Sequence, residues 1–299
     1  MRILNYGSLN LDYVYSVDHI VLPGETISSL NLDAFCGGKG LNQSIALARA
    51  GAAVCHAGAI GADGDCLIKA LEENGVDARY VWASPSRSGN AIIQVAADGQ
   101  NSIVLFGGAN QANERWRIDD IFENFQKGDW ALFQNEVSLL DEMIEKASFS
   151  GLKIALNPSP YNSLVEKCDL SKVALFFINE LEGRQLTGEQ SPEAIMDSMR
   201  IRFSHAAVVL TLGADGSLYS DPRESFRQDA FKVNAVDTTA AGDAFTGYFL
   251  AGVSSGKPSS RAMLEAAAAA SIAVSRQGAS DSIPTLLEVE EKLLKNTRI

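Results

Sequence analysis

From about residue 50 onward, short apolar runs alternate with stretches of helical period. The runs lie at 53–59, 130–134, 153–156, 174–178 and 206–212, and the helical stretches at 65–74, 138–147, 191–202 and 262–275. Short apolar runs suit strands buried on both faces, and the helical period between them marks the helices that cover those faces. The alternation predicts an α/β fold, a mostly parallel sheet sandwiched by helices. Ligands in such sheets gather at the carboxyl ends of the strands. A first strand is expected at 3–6, entered directly from Met1-Arg2 without a signal-peptide pattern.

Two regions break this rhythm. Residues of about 9–36 and 88–106 read as strands without intervening helices, and Ala97-Asp98-Gly99-Gln100 has hairpin-turn composition between 89–96 and 101–106. They predict a small sheet inserted in a single domain spanning 1–299. An uncovered small sheet is an edge hazard, which favours pairing with a second copy of the chain.

Composition narrows the partners. The 299 residues are 46% apolar, enough for a sizeable core, and the formal net charge is −12. That acidity argues against general binding to nucleic acid or anionic membranes, and no apolar run is long enough to cross a bilayer. Cys36, Cys55, Cys66 and Cys168 form no CxxC pair and no metal-like spacing with the three histidines. Free thiols in a reducing cytoplasm are expected.

The densest chemical signal is Asp237-Thr238-Thr239-Ala240-Ala241-Gly242-Asp243, which leads into an apolar helical pattern. Ala240, Ala241 and Gly242 leave their amides open to an anion at the positive end of a helix. Asp243 then places a carboxylate beside that anion. An Asp at a helix start can simply cap the helix. Beside an anion hole it can instead take a proton during phosphoryl transfer to a hydroxyl. A second motif, Gly37-Gly38-Lys39-Gly40-Leu41-Asn42-Gln43, precedes an alanine-rich helical stretch at 44–50 and is not a Walker A loop. Lys39 and Asn42 supply donors for hydroxyls or phosphate oxygens. Upstream, Asn10 and Asp12 are two apart and share one face of an extended segment, suited to vicinal sugar hydroxyls.

Together these motifs resemble those of the PfkB family of ribokinase-like sugar kinases. Residues 37–42 match its glycine signature and 237–243 its Asp-Thr-x-x-Ala-Gly-Asp signature. Leu156-Asn157-Pro158-Ser159-Pro160, Asn179-Glu180-Leu181-Glu182 and Thr211-Leu212-Gly213-Ala214-Asp215-Gly216 follow the family's order and approximate spacing. The resemblance implies a β-sheet lid over the sugar, whose exposed face pairs two chains in many relatives. It implies ATP-dependent phosphorylation of a primary hydroxyl, with D-ribose the leading acceptor and another sugar or a nucleoside the alternative. A catalytically silent sugar- or nucleotide-binding protein is the reading from another class.

The same resemblance assigns roles. Asp243 matches the base, and the amides of Ala240, Ala241 and Gly242 match the cradle of the transferring phosphoryl group. Asn10, Asp12, Gly38, Lys39, Asn42 and Glu136 match sugar contacts, with Ala91 and Ile103 as the apolar floor. Asn90 departs from the pattern where an apolar residue is expected. Asn179 and Glu182 match the pair that handles the water shell of Mg2+ and the ATP phosphates. Thr211, Gly213, Asp215 and Gly216 match the nucleotide-binding turn, and small residues at 266–270 leave room for adenine. Asp237 and Thr239, with Ala273, Arg276, Gly278 and Ser282, resemble a monovalent-cation loop that implies K+.

Overall fold

The computed structural model describes residues 1–296. In chain order it runs β1 (Ile3–Tyr6), β2 (Asn10–Val17), β3 (Asn31–Gly37), α1 (Lys39–Arg49), β4 (Val54–Ile60), α2 (Asp65–Glu73) and β5 (Asp77–Ala83). The hairpin β6 (Gly89–Ala96) and β7 (Asn101–Phe106) follows, then α3 (Arg115–Phe122), β8 (Trp130–Gln134), α4 (Leu140–Phe149), β9 (Lys153–Asn157) and β10 (Val173–Asn179). The rest comprises α5 (Glu180–Thr187), α6 (Pro192–Arg202), β11 (Ala207–Thr211), β12 (Ser217–Ser220), β13 (Ser225–Gln228), α7 (Ala241–Ser254), α8 (Ser259–Ala273) and α9 (Leu286–Asn296). Residues 297–299 of the expected domain lie outside the described residues.

The expected sheet is there, in the order β13-β12-β11-β10-β9-β8-β1-β4-β5. It is parallel from β5 to β11, and β12 and β13 are added antiparallel at one edge. β12 (SLYS) is largely buried yet half polar, and the edge strand β13 (SFRQ) is mostly polar and partly exposed, so neither carries an apolar run and hydropathy does not reveal them. Alternation along each central strand feeds two cores. Ile3, Val54 and Leu132 face the helices α1, α7 and α8, while Leu4, Ala131 and Phe133 face α3, α4 and α6.

The second sheet has the order β3-β2-β6-β7, with β2–β6 parallel and the outer pairs antiparallel. Its register opposes Asp12 to Ala91 and Leu11 to Asn90. Asn90 therefore stands on the face away from Asp12, its amide turned to the Ser88 carbonyl at 3.4 Å. The departure from the family pattern at Asn90 thus lies on the face opposite Asp12.

α1 starts at Lys39, well before the expected 44. The glycines that look like a loop in sequence serve close approach. A Cβ on Gly40 would lie 2.4 Å from the Ser8 amide nitrogen, so the first turn of α1 rests directly on the chain after β1. α1 also lies against α7, where a Cβ on Gly247 would stand 2.4 Å from Cβ of Ala46. Helix propensity alone favours Gly247→Leu by about 1 kcal/mol. Overpacking against Ala46 opposes it by about 1–3 kcal/mol. Gly247→Leu is therefore expected to lower the thermal midpoint; an unchanged or raised midpoint would show that α1 can give way.

Candidate active site

α7 begins with a forced turn. Ala240 sits in the left-handed region (φ 59°) as its N-cap, a conformation that costs a non-glycine residue about 1–3 kcal/mol. Among the described residues, the amides of Gly242 and Asp243 have no protein acceptor, while that of Ala241 makes a long bond of 3.4 Å to Thr238. A Cβ on Gly242 would meet nothing within 4 Å. Unpaired amides at a helix N-terminus with open space before them form an anion site. The Ala241 amide is held only by that long bond.

Asp243 does not cap this helix. No side-chain cap is formed, and the carboxylate reaches α1 instead. Asn42 Nδ2 donates to Oδ2 at 3.0 Å and Gln43 Nε2 donates to Oδ1 at 2.8 Å. Burial raises the proton affinity of this carboxylate; Lys39 and the two amide donors oppose it, and Glu136 reinforces it. Oδ1 of Asn42 is buried without a partner, an acceptor beside Asp243.

The glycine motif and the chain after β1 supply the neighbouring polar wall. Lys39 Nζ stands 3.7 Å from Glu136 Oε1, and Ser8 Oγ donates to Glu136 Oε2. Burial disfavours the Lys39 ammonium, but Glu136, Asp243, Glu182 and Asp12 outweigh it and hold its pKa up. Two glycines make room for side chains here. A Cβ on Gly37 would lie 2.0 Å from Asp12 Oδ2, and one on Gly89 would lie 2.3 Å from Asn10 Oδ1. Gly38 (φ 93°) turns the chain into α1. Burial pushes Asp12 up to about 7, with Glu136 and Asp243 adding to the shift and Lys39 opposing it. Ala91 is buried opposite Asp12, whereas Ile103, paired with Ile93 further along the same face, is 52% exposed.

The structure adds three residues to this set. Asn110 Nδ2 donates to Asn10 Oδ1 at 2.7 Å, and its own Oδ1 accepts from the Leu9 amide, so it sets the rotamer of Asn10. Ser8 holds Glu136, and Gln43 holds Asp243. Ser8 and Gln43 sit inside motifs already visible in the sequence. Asn110 follows β7 in a short 3-10 turn, and only its position in space marks it.

Asn179 and Thr211 are adjacent on β10 and β11, at the same sheet edge. Asn179 and Glu182 form a capping box on α5: Asn179 Oδ1 accepts from the Glu182 amide at 3.0 Å, and Glu182 Oε2 accepts from the Asn179 amide at 2.9 Å. Their first task is thus to start α5, with Glu182 buried near enough to Lys39 to raise its charge stability. In the Thr211–Gly216 turn, Gly213 (φ 58°) faces open space. Gly216 is required by the carbonyl of Gln228, 2.3 Å from where its Cβ would be. The Asp215 carbonyl accepts from Arg227 at 2.5 Å.

Ahead of α7, Asp237 Oδ1 accepts from Thr239 N and Oγ1, at 2.9 and 2.6 Å, and Oδ2 accepts from Gly278 N at 3.2 Å. The Arg276 guanidinium turns to Glu288, and Ser282 Oγ donates to the Ala279 carbonyl. Ala273 carbonyl accepts from Arg276 N at 3.0 Å. Of the six residues of the expected cation loop, Asp237 is thus bonded to Thr239 and Gly278, while the side chains of Arg276 and Ser282 are engaged elsewhere. Among the described residues no cluster of three or more His, Cys, Asp or Glu could hold a metal, and no helix is long and apolar enough to cross a membrane.

Comparison with known proteins agrees with this geometry. The family model for pfkB family carbohydrate kinases matches residues 2–286. The chain is 36% identical to the ribokinase of Haemophilus influenzae over 96% of both chains. It superposes on the ribokinase of Thermotoga maritima with a TM-score of 0.89 at 33% identity, covering 98% of this chain and 99% of that one. It also superposes on Arabidopsis thaliana ribokinase, solved with ribose and ATP, with a TM-score of 0.84 at 27% identity and 98% coverage of both.

Proposed function

The chain belongs to the pfkB family of carbohydrate kinases, and from that premise we propose that it moves the γ-phosphoryl group of ATP to the primary hydroxyl of D-ribose, giving D-ribose 5-phosphate. The observation that carries the reading is the pairing at the start of α7. A buried carboxylate, clamped by two amide donors, stands beside backbone amides with no protein acceptor.

Asn10, Asp12, Lys39, Asn42 and Glu136 hold the sugar hydroxyls, at the Gly38 turn, with Ala91 and Ile103 closing over its apolar side. Asn42 uses its unpaired Oδ1 for a hydroxyl while its amide stays on Asp243. Asp243 orients the reacting hydroxyl. A carboxylate is far too weak a base to ionise an alcohol beforehand, so it accepts the proton late, as the new O–P bond forms. The amides of Ala240 and Gly242, with a lesser part from Ala241, stabilise charge gathering on the phosphoryl oxygens. Thr211, Gly213, Asp215 and Gly216 border the nucleotide at the edge of β10 and β11, with Asn179.

The residues here fit Mg2+ held mostly by water and phosphate, since no cluster of three or more His, Cys, Asp or Glu stands among the described residues to ligate it directly and Mg2+ retains its waters. When bound, the ion neutralises phosphate charge. Backbone carbonyls around Asp237, Thr239, Ala273, Arg276, Gly278 and Ser282 suit a monovalent cation, and we assign K+ there. Replacing K+ by Na+ is expected to slow turnover several-fold; equal rates in the two salts would remove K+ from the account.

Two copies pair through the small sheet. Leu32, Ile92, Val104 and Phe106 share its face away from Asp12, and each is more than two-fifths exposed. Exposed apolar patches of this kind mark interaction sites. Val104→Asp is expected to convert a dimer to a monomer by light scattering; a wild-type chain already monomeric would refute the pairing. The acidic charge and free thiols fit a cytoplasmic enzyme.

The acceptor is tested by ADP release with Mg-ATP over D-ribose, 2-deoxyribose, fructose, adenosine and no sugar. Fastest turnover with D-ribose supports the proposal. Preference for another acceptor keeps the kinase and replaces ribose.

A further inference from the structure

A line of uncharged polar side chains runs from Asp243 into the core. Asn5, Gln43, Ser44, His56 and Gln134 are all fully buried. Asn5 and His56 are cross-strand neighbours on β1 and β4, and with Gln134 at the end of β8 they lie beneath α1, which supplies Gln43 and Ser44. Buried polar groups on an otherwise apolar sheet face cost stability unless each is bonded, so their concentration on one line calls for a function.

The bonds have one sense. Gln43 Nε2 donates to Asp243 Oδ1, and Gln43 Oε1 accepts from Gln134 Nε2 at 2.7 Å. Gln134 Nε2 also donates to Asn5 Oδ1 at 2.9 Å, which leaves Asn5 Nδ2 to donate to Ser44 Oγ and the Gly40 carbonyl, both at 2.8 Å. Ser44 Oγ also meets His56 Nδ1 at 2.8 Å. Burial drives the His56 pKa down to about 3, so the ring is neutral and the line adds no charge at this end. If any amide in this line flipped, oxygen would face oxygen. The Gly40 carbonyl, which can only accept, fixes the Asn5 amide, and Asn5 and Gln134 in turn fix which end of the Gln43 amide faces the carboxylate.

We infer that Gln43 is the positioning residue for the base, and that Asn5 and Gln134, anchored on the Gly40 carbonyl, lock its amide so that a donor always meets Asp243 Oδ1. This rests on the reading of Asp243 as the base. The lock keeps Oδ1 occupied, holds the carboxylate plane, and favours its ionised form. The other charged groups facing Asp243 are Lys39 on α1, Glu136 after β8 and Asp12 on β2. The line itself adds no charge.

The test uses Gln43→Met, isosteric but without a donor, and Gln134→Met, which removes the donor to Gln43 Oε1. Both are read on purified full-length enzyme by circular dichroism and by pH profiles of kcat, alongside KM for sugar and ATP. For Gln43→Met the expected result is a kcat lowered about 10- to 100-fold. KM values should stay within about threefold of wild type, as expected when an interaction specific to the transition state is lost. The acid limb should move to higher pH, because a donor to the ionised carboxylate is gone. Gln134→Met should show the same signature, weaker. Folded Gln43→Met with wild-type kcat and an unmoved acid limb would overturn the inference. Should Gln43→Met not fold, an unmoved limb in folded Gln134→Met would overturn the lock. Asp243→Ala separates the two readings: if it keeps turnover, the assignment of the base fails, not merely its positioning.

Discussion

Asp243→Ala is expected to lower kcat by roughly 10²- to 10⁴-fold, the range for losing a positioned general base, while KM for ATP stays near wild type. The carboxylate is 8% exposed and carries two amide donors, from Asn42 and Gln43. Removing it takes away the proton acceptor and frees two buried amides at once. Each unsatisfied donor costs about 1–3 kcal/mol, so thermal stability does not fall by the hydrogen bonds alone. Burial of an ionisable group also opposes stability, and its removal offsets part of the loss. A drop in kcat without collapse of the melting transition is thus the expected pattern, checked by coupled ADP assay and calorimetry on the same sample. Retained turnover would exclude Asp243 as the base.

The second large effect is expected at Asp12. Its carboxyl titrates near 7, raised by burial and by the charges of Glu136 and Asp243 against the pull of Lys39. Ionised, it accepts from sugar hydroxyls; protonated, it loses that capacity. KM for the sugar in the wild type should therefore fall as pH rises through about 7. Asp12→Asn should raise sugar KM about 10- to 100-fold, as expected for losing charge-assisted hydrogen bonds, and flatten its pH dependence.

Stability moves the other way. Because the folded pKa lies above the unfolded value of 3.8, the folded protein holds this proton up to about 7 while the unfolded chain has lost it. Stability from this group is full below about 4 and declines as pH rises through about 7. Asp12→Asn removes that decline and should melt about 2–4 °C higher for each kcal/mol recovered at pH 8. A variant that binds sugar worse yet melts higher marks a residue retained for binding. Unchanged KM would place Asp12 outside the sugar site.

Much of this was legible in the sequence, for identifiable reasons. The apolar runs at 130–134 and 153–156 became β8 and β9 almost residue for residue, because strands buried on both faces have no choice but to be apolar. The hairpin at 89–96 and 101–106 was marked by its turn. β12 and β13 were hidden because both are four residues long with polar residues at half or more of their positions, leaving no apolar run. The start of α1 was hidden because Gly40 answers to the approach of Ser8, a contact between chain segments that no local pattern records.

The site divides in the same way. Asp243, Asp12 and Lys39 stand in dense motifs. Asn110 and Gln134 have no such setting, and only the fold brings them to Asn10 and Gln43. Asn179 and Glu182 stood out by the family resemblance, and their spacing builds a capping box at the head of α5. Asn90 was suspect by its place in the motif, and strand alternation moved it to the opposite face.

The measurement that tests the account most directly is the identity of the product. Wild-type enzyme and Asp243→Ala are incubated with Mg-ATP and D-ribose in K+ buffer and followed by phosphorus NMR. The account requires a new monoester resonance coupled to the C5 protons of ribose in the wild type, and none above background in the variant. Phosphate on the anomeric oxygen, or inorganic phosphate released without any sugar ester, would contradict it.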